Sequence, residues 1–169
     1  MTQEDKELLL IDLCARLPYG LKGKCEIDAS YDTSFDTKFQ IHKFDSVLDG
    51  IKDDLLFVTP LIEDKDEQEY ANEEVADGID ILDFKPYLRP MYSMTEEESA
   101  ELSNIISEWF DKELFYLTEE PFLEYSLSRL KYSINPLLFD WFNANHFDYR
   151  GLIPKGLAIA VTEEDNPYL

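Results

Sequence analysis

The chain has 169 residues, and its 37 Asp and Glu residues against 15 Lys and Arg residues give a formal net charge of −22. This charge argues against a protein that binds nucleic acids or anionic membranes by neutralising their phosphates. A hydrophobic content of 44% and an aromatic content of 14% exclude an intrinsically disordered chain. We therefore expect a folded protein that has neither a nucleic acid nor a membrane as its direct partner.

The N-terminal residues and the cysteines bear on the cellular compartment. Residues 1–5 are polar and acidic, unlike the basic start of a signal peptide, and indicate a cytoplasmic location. Cys14 and Cys25 are predicted to be small, buried hydrophobic residues. A disulfide between them stays open as an alternative, because a helix and a strand that pack together could bring the two thiols into contact.

A first helix is predicted at the start of the chain. Thr2 has the character of an N-cap, leucines recur after it at helical spacing, and Pro18 ends the helix. Asp12 and Arg16 lie one turn apart, so we expect them to form an ion pair on the solvent-facing side of this helix.

Alternating apolar and polar residues follow the helix and predict β-structure. Residues 21–32 and 35–42 alternate on either side of a short polar turn, which is typical of an antiparallel hairpin with one buried face. Asp49 and Gly50 indicate a further turn, and the apolar residues 55–58 indicate a third strand.

Residues 63–83 differ from the rest of the chain because they hold ten acidic residues and one Lys. We interpret this segment as a solvated acidic loop, with a helical turn at 67–75 and a short edge strand around Ile79 and Ile81. Two prolines make the following residues 84–94 a rigid, extended connector.

Helical patterns dominate residues 95–169. Thr95 and Glu98 have the spacing of a capping box, Thr118 starts a second helix, and Pro136 is the first residue of a third. Large aromatic side chains at helical spacing are predicted to pack this part together, namely Trp109, Phe110, Trp141 and Phe142.

Together these elements predict an α+β fold. An N-terminal helix and a small, twisted antiparallel sheet occupy residues 1–83, the connector occupies 84–94, and the helical part, 95–169, packs on the sheet. The length of the chain favours one compact domain.

Residues suited to catalysis are few. The sequence lacks a G-x-S-x-G stretch, a glycine-rich phosphate loop and the Cys and His spacings of zinc sites, so no catalytic, cofactor-binding or metal-binding residue is assigned. One polar cluster could form an enzymatic site, namely His146, Asp148, Tyr149 and Arg150. The alternative interpretation is that His146 caps the carbonyls at the end of a helix.

One motif in the middle of the chain resembles a known family. Residues 85–91 read Lys-Pro-Tyr-Leu-Arg-Pro-Met, and residues 93–98 read Ser-Met-Thr-Glu-Glu-Glu. This motif resembles small uncharacterised proteins of gut Bacteroides-type bacteria and of their phages and prophages. Residues 13–20 and 139–158 resemble the same family. The resemblance implies a role related to phages or mobile elements, and it implies no activity, substrate or cofactor.

Three classes of function follow from these observations. We expect a non-enzymatic protein-interaction module with a protein partner, for which the acidic charge favours a basic one. The first alternative is an acidic inhibitor that mimics a nucleic acid and blocks a nucleic-acid-binding protein, and the second is an enzyme. The candidate interaction residues are Tyr87, Arg89, Tyr92, His146, Asp148, Tyr149 and Arg150.

Overall fold

The computed structural model describes residues 2–28, 41–109 and 136–168. Its helices and strands form an α+β fold, as the sequence predicts. The chain divides into two compact units, of which one comprises Met1–Leu88 with Arg150–Leu169 and the other comprises Arg89–Tyr149. The predicted boundaries at 83 and 95 therefore differ from the observed division, because residues 84–88 and 150–169 contribute strands to the sheet of the first unit.

The first unit is built around a six-stranded sheet. Its strands are β1 (Lys22–Asp28), β2 (Ile41–Lys52), β3 (Leu55–Pro60), β4 (Ile79–Asp80), β5 (Phe84–Leu88) and β6 (Ile159–Ala160). They lie in the order β4-β3-β2-β1-β5-β6, and all neighbours are antiparallel except β5 and β6. The sheet is therefore mixed, whereas the sequence predicts an antiparallel sheet. The difference arises because β6, from the C-terminal part of the chain, pairs in parallel with β5.

Two helices share a hydrophobic core with this sheet, α1 (Gln3–Arg16) and α2 (Lys65–Glu74). The N-cap predicted for α1 is confirmed, since Thr2 Oγ1 accepts a hydrogen bond from the Asp5 amide and the Asp5 carboxylate accepts one from the Thr2 amide. Residues at i, i+3, i+4 and i+7 form the buried side of α1, namely Leu9, Asp12, Leu13 and Arg16.

The buried side of α1 corrects two predictions. Asp12 and Arg16 form the expected ion pair, with 2.7 Å between Arg16 Nε and Asp12 Oδ2, but both side chains are fully buried instead of facing solvent. The same helical spacing turns Cys14 outward, so this residue is exposed although burial was predicted. Cys25 is buried as predicted, and both cysteines are free.

Strand β1 confirms the alternation predicted for residues 21–32 as far as residue 25, and residues 29–32 lie outside the described part of the chain. Leu21, Gly23 and Cys25 face the core, whereas Lys22 and Lys24 lie on the other, partly exposed face. Burial raises the pKa of the Cys25 thiol to about 11, so this thiol stays protonated and unreactive at neutral pH. Strand β1 pairs antiparallel with β2, and the predicted hairpin turn between them lies outside the described residues.

The turn predicted at Asp49 and Gly50 is wrong. Both residues lie within β2, where the pairing with β3 shifts in register between Leu48 and Gly50. The chain reverses instead near Asp53, whose φ of 56° lies in the left-handed region. An Asp-Gly pair suits a bulge as well as a turn, because both irregularities relax the regular strand geometry.

The acidic segment 63–83 contains regular structure. Asp64 caps α2 by accepting hydrogen bonds from the amides of Asp66 and Glu67, and the predicted edge strand is β4. The next segment, predicted as a connector, begins with strand β5, which pairs with β1. Its prolines favour an extended backbone, and that conformation is also the one that a strand requires.

The second unit contains helices α3 (Glu96–Trp109) and α4 (Pro136–Ala144). The predicted capping box of α3 is confirmed, because the Thr95 amide donates to Glu98 Oε2 and the Glu98 amide donates to Thr95 Oγ1. The described core of the second unit consists of Leu102, Ile106, Leu138, Trp141, Phe142 and Phe147. Phe110 and the helix predicted from Thr118 lie outside the described residues.

None of the helices within the described ranges combines the length and the apolar character that crossing a membrane requires.

Candidate functional site

The seven residues singled out in the sequence do not come together as one set. Tyr87 and Arg150 belong to the first unit, and the other five belong to the second unit. Tyr92 is 80% exposed in a short 3₁₀ turn at Met91–Ser93. The remaining residues each have defined contacts within their own unit.

Arg89 is held by a network at the start of α3. Its guanidinium donates two hydrogen bonds to the Glu98 carboxylate, at 2.6 and 2.8 Å, and lies 4.2 Å from the centre of the Phe147 ring. Glu98 in turn caps α3 through Thr95. Partial burial raises the pKa of Glu98, but the hydrogen bonds from Arg89 and Thr95 outweigh this effect, so the pKa lies below its ordinary value. Arg89 therefore stabilises the second unit.

The Glu98→Gln variant tests this stabilising role. We expect it to lower the free energy of unfolding by about 1.5 kcal/mol, because the amide cannot accept both guanidinium hydrogen bonds. Urea unfolding at pH 7 measures the loss. The matched control is Glu26→Gln, which breaks an ion pair with Lys43. The Glu26 and Lys43 side chains are 43% and 51% exposed, so water screens the pair and its loss should cost much less stability than Glu98→Gln.

The difference in free energy of unfolding between wild type and Glu98→Gln should also depend on pH. A folded-state pKa below the unfolded value of about 4.5 means that ionised Glu98 stabilises the fold above pH 4.5. This contribution is lost as the pH falls through the lowered pKa. The difference between wild type and Glu98→Gln should therefore shrink in acid, and a difference that is constant with pH would contradict the assignment.

The polar cluster predicted around residues 146–150 is divided between the two units. His146 has a φ of 57° and follows the end of α4, and its carbonyl accepts a hydrogen bond from the Arg89 amide. Asp148 is buried, and its amide donates to the Arg89 carbonyl. The Tyr149 hydroxyl donates to the side-chain oxygen of Asn143 at 3.0 Å. These contacts join the chain after α4 to the segment before α3.

Arg150 completes a buried charge network in the first unit. Its guanidinium donates to Asp12 Oδ1 at 2.8 Å, while Arg16 donates to the other oxygen of the same carboxylate. The side chains of Asp12 and Arg16 are fully buried, and that of Arg150 is 20% exposed. The network connects α1 with the segment that leads into β6. Arg150 therefore has a structural role.

Tyr87 lies on β5 and has a structural function too. Its hydroxyl donates to Asp45 Oδ1 at 2.6 Å, and its carbonyl accepts a hydrogen bond from the Tyr168 hydroxyl. Partial burial and the hydrogen bond to Asp45 both raise the pKa of Tyr87. The phenol therefore stays protonated at neutral pH.

A groove of about 410 Å³ lies beside α2 in the first unit, and no sequence pattern had singled it out. Its inner lining is apolar and comprises Phe44, Ile62 and Ala71. Its outer lining is polar or aromatic and comprises Lys43, Asp66, Glu67, Tyr70 and Glu74. We call this feature the acidic groove. Its volume and its apolar lining are typical of binding sites.

Helix α2 is fixed at the acidic groove by Gln68. The side-chain amide of Gln68 donates to the Pro60 carbonyl at 2.9 Å, and its oxygen accepts from the Ile62 amide at 2.9 Å. Ala71 and Val75 anchor the helix in the core. The groove is thus built on regular elements, which favours a site of defined shape.

The charges around the acidic groove are not balanced internally. Among its lining residues, Lys43 supplies the positive charge and pairs with Glu26 at 2.9 Å. Glu73 and Glu74 lie in the last turn of α2, which holds no basic residue. Carboxylates at this end of a helix oppose the helix dipole, so a cationic group brought to the groove would relieve an unfavourable arrangement.

The acidic groove could not be found from sequence periodicity because it joins Lys43 and Phe44 of β2 to side chains of residues 62–74. The available signal was the excess of acidic residues at 63–83, which indicated an exposed surface but no concavity. Comparison of the chain with protein-family models, with curated proteins and with solved structures finds no match.

Proposed function

We propose that the chain is a non-enzymatic protein-interaction module whose acidic groove receives a basic, amphipathic segment of another protein. The observation that carries this proposal is the combination of an apolar lining and an acidic rim in one groove. An amphipathic segment matches both features, since its apolar side can cover Phe44 and its Lys or Arg residues can pair with the rim.

Exposed apolar surface supports a partner at this position. Tyr70 is 46% exposed on the rim of the acidic groove, and Leu61, which precedes the lining residue Ile62, is also 46% exposed. Tyrosine is enriched at protein interfaces because its ring buries a large area while its hydroxyl keeps a polar contact.

The charge of the whole chain supports a basic partner. A formal net charge of −22 attracts a cationic segment from a distance and accelerates its association at low ionic strength. The carboxylates of Asp66, Glu67 and Glu74 then lie where the bound segment would place its cations. Binding should therefore weaken as salt is added.

Fluorescence anisotropy with a labelled amphipathic helical peptide of Leu and Lys tests the proposal. We expect saturable binding to the full chain with a Kd on the order of 10 μM in low salt. The double variant Glu67→Lys with Glu74→Lys should weaken this binding at least roughly tenfold, because both changes place like charges against the peptide.

The matched control is Glu163→Lys with Glu164→Lys, which changes the net charge equally at two exposed residues that are not among those lining the acidic groove. This control should lose much less affinity than the groove variant. Equal losses in both double variants, or no saturable binding by the wild type, would refute a specific site. Circular dichroism of each variant shows whether the fold is kept.

A nucleic-acid mimic is the second candidate, favoured by the exposed carboxylates along α2. Asp66, Glu69 and Glu73 recur at i, i+3 and i+7 and so share one side of the helix. A mimic would displace labelled duplex DNA from poly-lysine, and Tyr70→Ser would leave that activity intact. Tyr70→Ser should instead lower the affinity for the amphipathic peptide severalfold if the acidic groove is the binding site.

A phage or mobile-element setting completes the proposal. It is supported by the family resemblance of residues 85–98.

A further inference from the structure

The side of α2 that lines the acidic groove has a regular order of residues. Glu67, Tyr70, Ala71 and Glu74 all line the groove, and they follow one another at i, i+3, i+4 and i+7. Residues with this spacing form one stripe along a helix. The wall that α2 contributes therefore carries carboxylates toward both of its ends, with an aromatic and a small side chain between them.

The two glutamates of this stripe are separated by two turns of the helix. Seven residues with a rise of about 1.5 Å each place the Cα atoms of Glu67 and Glu74 about 10.5 Å apart along the axis. Among the residues that the structure describes, neither carboxylate has a basic group within ion-pair distance. The stripe therefore offers two separate positions for cations of a partner.

The part of the groove that β2 contributes differs in charge from the part that α2 contributes. Strand β2 supplies Phe44, which belongs to the core, and Lys43, which pairs with Glu26 at 2.9 Å. A cation of the partner placed beside Lys43 would meet a like charge. The partner's cations are therefore favoured on the side that faces α2 and disfavoured on the side that faces β2.

The spacing of Glu67 and Glu74 favours a helical partner over an extended one. In a helix, residues i and i+7 lie on one side and about 10.5 Å apart, which matches the two carboxylates. A strand rises by about 3.3 Å per residue, so the same distance spans about three residues, and residues three apart point to opposite faces. An extended segment with this spacing would turn one of its two cations away from α2.

We propose that the acidic groove binds an α-helix that lies along α2, with Lys or Arg at i and i+7 and apolar residues at i+3 and i+4. This inference rests on the proposed function and adds the conformation of the partner and the positions of its charges. The cations pair with Glu67 and Glu74, and the apolar residues pack against Phe44 and Tyr70. Two apolar side chains suit a groove of about 410 Å³, which is near the lower end of the range for ligand sites.

Fluorescence anisotropy with labelled peptides of Ala, Gln, Leu and Lys tests the proposal on the full chain. The matched peptide has Lys at i and i+7 and Leu at i+3 and i+4. The shifted peptide has the same composition, but its second Lys is at i+5 and so lies on a different side of the helix. We expect the matched peptide to bind roughly fivefold more tightly, which is the upper value for one exposed ion pair. A third peptide, with Pro at i+5 of the matched sequence, should also bind more weakly because Pro breaks the helix.

Substitutions in α2 test which carboxylates contact the peptide. Glu67→Gln and Glu74→Gln each remove one carboxylate of the stripe, and each should weaken binding of the matched peptide severalfold. The matched control is Glu69→Gln, which removes the same charge from the same helix at an exposed residue that is not among those lining the groove. This control should leave the affinity within about twofold of wild type.

Several outcomes would overturn the helical arrangement. These are equal affinity for the matched and shifted peptides, tighter binding of the Pro-containing peptide, or equal effects of Glu74→Gln and Glu69→Gln. Saturable binding of the matched and shifted peptides with equal affinity would leave the proposed function intact, because any basic, amphipathic segment satisfies it. Absence of saturable binding by all three peptides would overturn both, so the two failures are distinguishable.

Discussion

The variant Asp12→Ala is expected to lower the free energy of unfolding by about 3–5 kcal/mol, which is the range found when one partner of a buried ion pair is removed. Its carboxylate accepts hydrogen bonds from Arg16 Nε at 2.7 Å and from Arg150 at 2.8 Å. Without it, the fully buried guanidinium of Arg16 keeps its charge but loses this counterion. Urea unfolding followed by circular dichroism measures the loss.

The exposed ion pair between Lys6 and Asp54 provides the control for this prediction. Its distance is 3.2 Å, and the Asp54 side chain is 69% exposed. Water solvates both charges when the pair is broken, so Asp54→Ala should cost less than about 1 kcal/mol. If Asp12→Ala were as mild as Asp54→Ala, the buried network would not hold α1 in the first unit.

The network of Asp12, Arg16 and Arg150 was only partly predictable from the sequence. The i, i+4 spacing of Asp12 and Arg16 was sufficient to predict their pairing, because that geometry is local to the helix. Their burial was not predictable, since it depends on Arg150, which is 138 residues from Asp12 along the chain. A charged residue on the buried side of a helix needs a distant partner that periodicity does not reveal.

Among the strands, β1 was predicted best, because only one of its two faces is buried. In β1, the alternation places Leu21 and Cys25 in the core, and the pairing with β2 follows from that register. Strand β5 was missed because Pro86 suggested a connector. Its pairing is short, however, with β1 opposite residues 84–86 and β6 opposite residues 87–88. A proline is tolerated where so few backbone hydrogen bonds are required.

The motif at residues 85–98 has a structural explanation that accounts for several of its residues. Pro86 and Leu88 are buried, Arg89 clamps Glu98, and Thr95 caps α3. Tyr92 is different, because it is 80% exposed. The other motif residues named here therefore maintain the fold, while the acidic groove is lined by residues outside the motif.

Gly23 lies on β1 directly opposite Pro86 of β5. A Cβ atom at this position would lie 2.4 Å from Cζ of Phe84 and 2.7 Å from the carbonyl oxygen of Lys85. The Phe84 ring is itself buried, and the carbonyl belongs to the backbone of β5, so neither group can move without disturbing the sheet or its core. Packing therefore requires glycine at position 23.

The variant Gly23→Ala should consequently lower the free energy of unfolding by about 3 kcal/mol, at the upper end of the usual range for overpacking. Gly50→Ala in β2 is the matched control, because its Cβ would lie at ordinary distances of 3.7 and 3.9 Å from Phe57. There alanine should change stability by less than about 1 kcal/mol, since it reduces the entropy of the unfolded chain without a clash. Urea unfolding of both variants decides the matter, and a Gly23→Ala protein as stable as Gly50→Ala would show that β1 and β5 are not packed this closely.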